Sequence, residues 1–312
     1  MHERMLGGTG PRTSAIGLGC LPFTGGYGHT DVPGLCATVD RAIEVGITLV
    51  DTADFYAGGD VERFLSAALA GRRNKVLLAT RGGAVFSGGA RPTEFDGRPE
   101  FLRRAGEASL RRLHTDHIDL YLLARPDPSV PLAESVGGLG ELVEAGLVRY
   151  VGLSEVSAAQ LAEARAVYPI AAVESEYSLW ERRAADDVLP EARRLGVGFI
   201  AHSPLGRGFL TGTVTRTAPG DYRARQERFA PDHLAAANAR LAALAPIAER
   251  LRATYAQLAL AWLLATDPNI VAIPGSRHPG HVAENAAAAD LRLDPEDLAA
   301  VDAVLAVEGA RA

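Results

Sequence analysis

A short apolar run, a polar loop and a stretch with helical apolar spacing recur eight times along this chain, and few folds accept such a pattern. The apolar runs are residues 15–19, 47–50, 76–80, 118–123, 148–153, 170–173, 197–201 and 270–273. They lack polar alternation, as strands buried on both faces do. The stretches with apolar residues three and four apart are 35–45, 61–69, 101–113, 132–144, 158–166, 184–195, 234–251 and 255–264. They read as helices that cover such strands. Eight units within 312 residues predict an α/β chain folded as a (β/α)8 barrel, one domain across residues 1–312. No shift in composition marks a second domain. The connection at 203–231 is too long for a simple link and is expected to cover the active face.

Bulk properties exclude several classes of function. Hydrophobic residues make up 47% and charged residues 22%, as in an ordinary globular chain. A formal net charge of −6 supplies no electrostatic footprint for nucleic acid. No apolar run reaches membrane-spanning length and residues 1–10 lack a signal-peptide core, so the expected place is the cytoplasm. Cys20 and Cys36 are the only cysteines. They form neither a disulfide framework nor a Cys/His zinc spacing, and no HExxH is present. The Gly-rich loop Thr24-Gly25-Gly26-Tyr27-Gly28 is not GxGxxG opening a helix, which leaves a Rossmann phosphate loop unsupported.

In a barrel of this kind chemistry sits at the C-terminal ends of the strands. The residues ending the eight runs are Gly19, Asp51, Arg81, Ala124, Ser154, Glu174, His202 and Pro274, with Tyr56 just beyond the second. A carboxylate at a strand end with a phenol five residues on suits an active face; the alternative is that Asp51 caps the following helix. Lys75 is the only lysine, and it precedes its strand, as His114 and His117 precede theirs. All three belong at the opposite face.

On the segments IGLGCLPF, VDTADFY, LLATR, HIDLYLLARPDP, YVGLSEVS, VESEYSLWERR, SPLGRGFLTG and IPGSRHPGHVAENAAA, in barrel order over nearly the whole length, the chain resembles the aldo-keto reductase family. The resemblance implies an extended NADP(H) held without a Rossmann domain, a small-molecule substrate and reduction of a carbonyl to an alcohol. It also implies an Asp, Tyr, Lys and His tetrad, in which Tyr is the general acid and a neighbouring cation lowers its pKa. Asp51 and Tyr56 match by position. The lysine position is Arg81 and the histidine position is Ala124. Arginine keeps the charge but not the geometry. Alanine removes a donor and opens space, which points to an altered or bulkier substrate or to C=C reduction.

For the cofactor, the resemblance assigns Gly19, Cys20, Asp51, Ser154, Glu174 and His202 to the nicotinamide end. Ser203, Leu205, Gly206 and Arg207 belong to the pyrophosphate loop. Gly275, Ser276, Arg277, His281, Glu284 and Asn285 belong to the adenosine end. Glu155 and Glu174 stand where amides are usual, and His202 where an aromatic ring is. Glu174 and His202 read either as separate cofactor contacts or as a pair in which Glu174 raises the pKa of His202. Substrate is expected among Phe23, Tyr27, Phe55, Tyr56, Phe86, Ala124 and Trp180. Two other readings stay open: an NADP(H)-binding regulatory subunit with little turnover, and an epimerase or dehydratase that uses the cofactor without net redox.

Overall fold

The computed structural model describes residues 1–85, 92, 94–218 and 220–305. Eight parallel strands form its centre: β1 (Leu18–Gly19), β2 (Leu49–Asp51), β3 (Leu77–Gly82), β4 (Ile118–Leu123), β5 (Val148–Ser154), β6 (Ala172–Glu176), β7 (Gly198–His202) and β8 (Ile270–Ile273). They pair in sequence order from β1 to β8. Parallel bridges from Ile16 to Ala272 and from Gly19 to Gly275 bring β1 against β8, so the sheet curls back on itself. The helices are α1 (Val32–Glu44), α2 (Asp60–Ala68), α3 (Pro99–Leu113), α4 (Leu132–Glu144), α5 (Ala158–Val167), α6 (Val188–Leu195), α7 (Pro231–Leu241), α8 (Ala245–Leu251), α9 (Tyr255–Thr266), α10 (Pro279–Ala287) and α11 (Pro295–Leu305). The expected (β/α)8 architecture is the observed one.

Successive strand residues face opposite sides, and this divides the core in two. Leu49, Ala79, Leu120, Leu122, Ala172, Ile200 and Val271 fill the barrel interior. Val50, Leu78, Tyr121, Leu123, Val173, Phe199 and Ala272 point outward into a second cluster under the helices. The runs carry no polar alternation because both faces are buried.

The N-terminal lead-in does more than its turn-rich sequence suggests. Glu3–Met5 and Arg12–Ser14 form an antiparallel hairpin, and Leu6 beyond it is fully buried in the interior cluster, at the opening opposite the strand C-termini. Gly198 at the start of β7 makes room for it: a Cβ there would lie 2.7 Å from the Leu6 backbone.

Several boundaries differ from the sequence reading for local reasons. The single helix expected over 234–251 is two, α7 and α8, joined by a 3-10 turn at Ala242–Leu244, and Pro246 sits in the first turn of α8. Proline has no N–H to donate, so it begins a helix more readily than it continues one. The loop after β7 is partly ordered into 3-10 turns at Gly206–Thr211, Tyr222–Arg225 and Glu227–Phe229. A two-stranded ribbon, Ala84–Val85 with Glu94–Phe95, follows β3 and was not anticipated. Most strands also run one to three residues further toward their C-termini than the apolar runs suggest, because polar residues there still pair in the sheet.

Candidate active site

The two-residue parity that places Leu49, Ala79, Leu122, Gly152, Ala172 and Ile200 inside also turns Asp51, Arg81, Ala124, Ser154, Glu174 and His202 toward the barrel axis, one layer nearer the C-terminal face. There they meet a cleft of about 1020 Å³. Its wall includes Asp51, Tyr56, Arg81, Ala124, Ser154 and His202 at one end. At the other end it includes Ser276, Arg277, His281, Glu284 and Asn285.

Arg81 is the hub of the first end. Its Nη2 donates to Asp51 Oδ2 at 2.6 Å and to Tyr56 Oη at 3.3 Å. Its Nε donates to the Thr52 carbonyl at 3.3 Å, and its Nη1 donates to Glu174 Oε1. All four charged or phenolic side chains are buried. Asp51 therefore does not cap α2; its carboxylate holds the guanidinium.

The electrostatics run against one expectation. Burial pushes the Tyr56 phenol above its ordinary value; Arg81 opposes this, and Asp51 and Glu174 reinforce it. Burial outweighs the pull of the guanidinium, so the phenol is not acidified. Burial likewise raises Asp51 well above the usual carboxylate range, against the pull of Arg81 and with the push of Glu174.

A pairing of Glu174 with His202 does not form. Glu174 turns to Arg81, is fully buried and stands behind the cleft wall. His202 Nε2 lies 2.5 Å from Glu155 Oε1, and its Nδ1 lies 3.2 Å from Ser203 Oγ. Burial raises the Glu155 carboxyl, but His202 and then Arg125 outweigh it and hold it at about 2. Parity explains the swap: Glu155 follows the strand-end Ser154, and a left-handed turn at φ 57° swings it back over the strand end. Ser203 and Arg207 are also left-handed, at φ 50° and 59°. Such non-glycine conformations are costly and gather at functional sites.

Other predicted residues divide cleanly. Gly19, Tyr27, Phe55, Ser203, Leu205 and Gly275 line the cleft. Cys20, Phe23, Gly206 and Trp180 do not. Cys20 is buried under the first turn, and Phe23 packs edge-on against Phe64 at 5.5 Å. Trp180 packs at a tilt against Phe209, with ring centroids 4.0 Å apart. Arg207 reaches the cleft, but its fork is bound to Gln226 and Glu176. Phe86 lies outside the described residues. Sequence reasoning missed Arg125, Glu176 and Arg223 on the wall. The signal was available for Arg125, which directly follows a strand-end residue; Arg223 comes from the middle of the long loop.

That loop crosses the cleft. Tyr222 N donates to the Gly26 carbonyl at 3.1 Å, and the Tyr27 and Tyr222 rings meet at 5.3 Å. Arg223 lies 5.0 Å over the Tyr27 ring. The glycine-rich loop after β1 and the loop after β7 thereby bridge the opening.

The distal end has the chemistry of an anion site. Ser276 Oγ accepts from His278 N at 3.1 Å, Arg277 borders the cleft, and α10 begins at Pro279. A guanidinium, two imidazoles and a helix N-terminus converge there. Burial first, then the charges of His281 and Arg277, keep His278 below its ordinary value. These donors, and a cleft that runs from Tyr56 to Asn285, fit an extended phosphorylated dinucleotide. Among the described residues no cluster of His, Cys, Asp and Glu could hold a metal ion, and no helix is long and apolar enough to cross a membrane.

Residues 15–306 match the sequence pattern of the Aldo/keto reductase family. The chain belongs to that family. It is 37% identical over 298 residues to a probable aldo-keto reductase 1 of Glycine max, covering 94% of this chain and 86% of that one. Among solved structures it resembles a glycerol dehydrogenase from Gluconobacter oxydans, with a TM-score of 0.87 and 31% identity, covering 97% of this chain and 94% of that one. It also resembles a thermostable aldo-keto reductase in complex with the inhibitor epalrestat, with a TM-score of 0.77 and 30% identity, covering 97% and 100% of the two chains. Aldo-keto reductases are typically NADP(H)-dependent oxidoreductases.

Proposed function

We propose that this aldo-keto reductase is an NADP(H)-dependent oxidoreductase with a modified tetrad, acting on a carbonyl or a C=C bond of a small organic substrate. The observation that carries this reading is the Asp51–Arg81–Tyr56 cluster at the inner end of a cleft whose other end is lined by Ser276, Arg277 and His281. Tyr56 is the proton donor. Arg81 orients its phenol, and Asp51 holds Arg81. Ser276, Arg277 and His281 take the 2′-phosphate, and Glu284 and Asn285 border the adenine. The cofactor, when bound, supplies or accepts hydride. Ala124 leaves open the space that an imidazole would fill, so the substrate carbonyl is oriented by Tyr56 without a second donor from β4. Tyr27, Phe55 and Phe95 form the apolar wall beside it.

A fluorescence titration of the purified chain with NADPH, NADP⁺ and NADH tests the cofactor half. Micromolar NADPH binding with much weaker NADH binding is expected, and Arg277→Ala should remove the difference. No NADPH binding at millimolar concentration would end the oxidoreductase reading. Turnover against a carbonyl panel tests the rest, with Ala124→His expected to raise reduction of simple aldehydes. One observation favours a second reading, a cofactor-binding protein with little turnover: burial keeps the Tyr56 phenol above its ordinary value despite the guanidinium beside it. Tight NADPH binding without consumption of NADPH across the panel would support it.

A further inference from the structure

Glu174 was expected on the cofactor and is found on Arg81, and that displacement has a geometric consequence. A guanidinium is a planar fork, so fixing two of its nitrogens determines where the third points. Here Nε is held by the Thr52 carbonyl and Nη1 by Glu174 Oε1; Nη2 is then left between Asp51 Oδ2 and Tyr56 Oη. We propose that Glu174 is a positioning residue of this site, clamping Nη1 so that Nη2 is aimed at the Asp51–Tyr56 gap, and that Arg81 and Glu174 form a matched pair. The proposal rests on Tyr56 being the proton donor.

The pair explains two departures from the expected tetrad together. A lysine has a single nitrogen at the end of its stem and cannot bridge Glu174 on one arm and Asp51 with Tyr56 on the other. An amide at position 174 would carry no charge for the second arm of arginine to meet. Asp51 and Glu174 lie within hydrogen-bond reach of each other, which adds to burial in raising Asp51, and among the described residues no other side chain donates to Glu174 Oε2 or Asp51 Oδ1. The charged and titratable groups facing Tyr56 are Arg81, Asp51, Glu174, the Cys20 thiol and the Tyr27 phenol. Among them Arg81 alone favours the phenolate. Removing the Glu174 clamp frees Nη1, so the fork can turn and Nη2 is no longer fixed on the phenol.

Two measurements on the full chain test this without a substrate. In protein labelled with 3-fluorotyrosine, the Tyr56 resonance is assigned by its loss in Tyr56→Phe. It is expected to be a single sharp line in the wild type and to broaden or split in Glu174→Gln, as the freed fork samples more than one position beside the ring. Thermal melting is expected to place Arg81→Lys below the Arg81→Lys/Glu174→Gln double variant, because the single change leaves a buried carboxylate without its counter-ion. A Tyr56 resonance as sharp and single in Glu174→Gln as in the wild type would overturn the proposal. So would a double variant that melts no higher than Arg81→Lys. NADPH fluorescence on the wild type keeps the two readings apart: its failure sinks the oxidoreductase, while the resonance and the melts still report on the pair.

Discussion

Tyr56 is the residue on which the chemistry turns. Tyr56→Phe removes only the phenolic oxygen, and the Arg81–Asp51 bond survives it. The expected outcome is a fall in kcat of about 10²–10⁴-fold with NADPH affinity nearly unchanged; equal turnover would remove Tyr56 from the mechanism. The buried carboxylate excess beside Arg81 favours a positively charged oxidised ring over a neutral reduced one. Glu174→Gln should therefore weaken NADP⁺ relative to NADPH by about 3–10-fold, since a screened charge at this range is worth on the order of 1 kcal/mol. An unchanged affinity ratio would refute this. Glu155 behaves differently because its carboxyl is held at about 2 by His202 and Arg125 against burial. A depressed carboxylate stabilises the fold above its unfolded pKa and ceases to as pH falls through the folded one. Wild-type urea midpoints should drop more than those of Glu155→Gln between about pH 4.5 and 2; parallel curves would show that the His202 contact contributes nothing to stability.

Elements place these residues, and their ends are where single changes tell. Helix α5 follows the strand that carries Ser154, and it opens on a capping box in which Ser157 Oγ accepts from Gln160 N and Gln160 Oε1 accepts from Ser157 N. Few of its residues are buried, so the box is a large share of what holds its first turn. Ser157→Ala should cost about 1 kcal/mol in urea unfolding. Strand β7 depends on a glycine for a tertiary reason. A Cβ at Gly198 would press on Leu6, which closes the barrel floor. Gly198→Ala should destabilise by about 1–3 kcal/mol, and a variant as stable as the wild type would mean that the floor moves aside freely.

At the scale of the molecule, a buried polar knot behind α2 ties the Tyr56 loop to the helical shell. Glu62 is fully buried, 2.5 Å from Arg112 Nε and 2.7 Å from Thr80 Oγ1. Asp54 stands nearby with its carboxyl pushed up to about 8, by burial first and by the Glu62 charge second. The folded chain keeps a proton there that the unfolded chain releases near pH 4, so this contribution to stability is lost as pH rises from about 4 to 8. Asp54→Asn should flatten that part of the stability–pH curve, and superimposable curves would show that Asp54 is ionised throughout. NADPH adds a term of its own: at a hundred times its Kd it should raise unfolding stability by about 2.7 kcal/mol. The loops joined at Gly26 and Tyr222 are expected to gain most, which hydrogen exchange would register.

The alternation of apolar runs and helical stretches determined the barrel by itself, because strands buried on both faces and paired in sequence order leave few other ways to bury such a chain. It determined equally that Asp51, Arg81, Ala124, Ser154, Glu174 and His202 would face inward at one end, since strand parity is local. Partnership was decided only by the tertiary structure. Glu174 and His202 sit on adjacent strands, yet one reaches across the barrel to Arg81 and the other is claimed by Glu155. Nothing in the linear order measures the reach of a guanidinium or the swing of a left-handed turn. The crossing of the cleft by Tyr222 and Arg223, and the withdrawal of Phe23 and Trp180 into aromatic packing, were likewise settled by which surfaces had to be buried once the strands had closed.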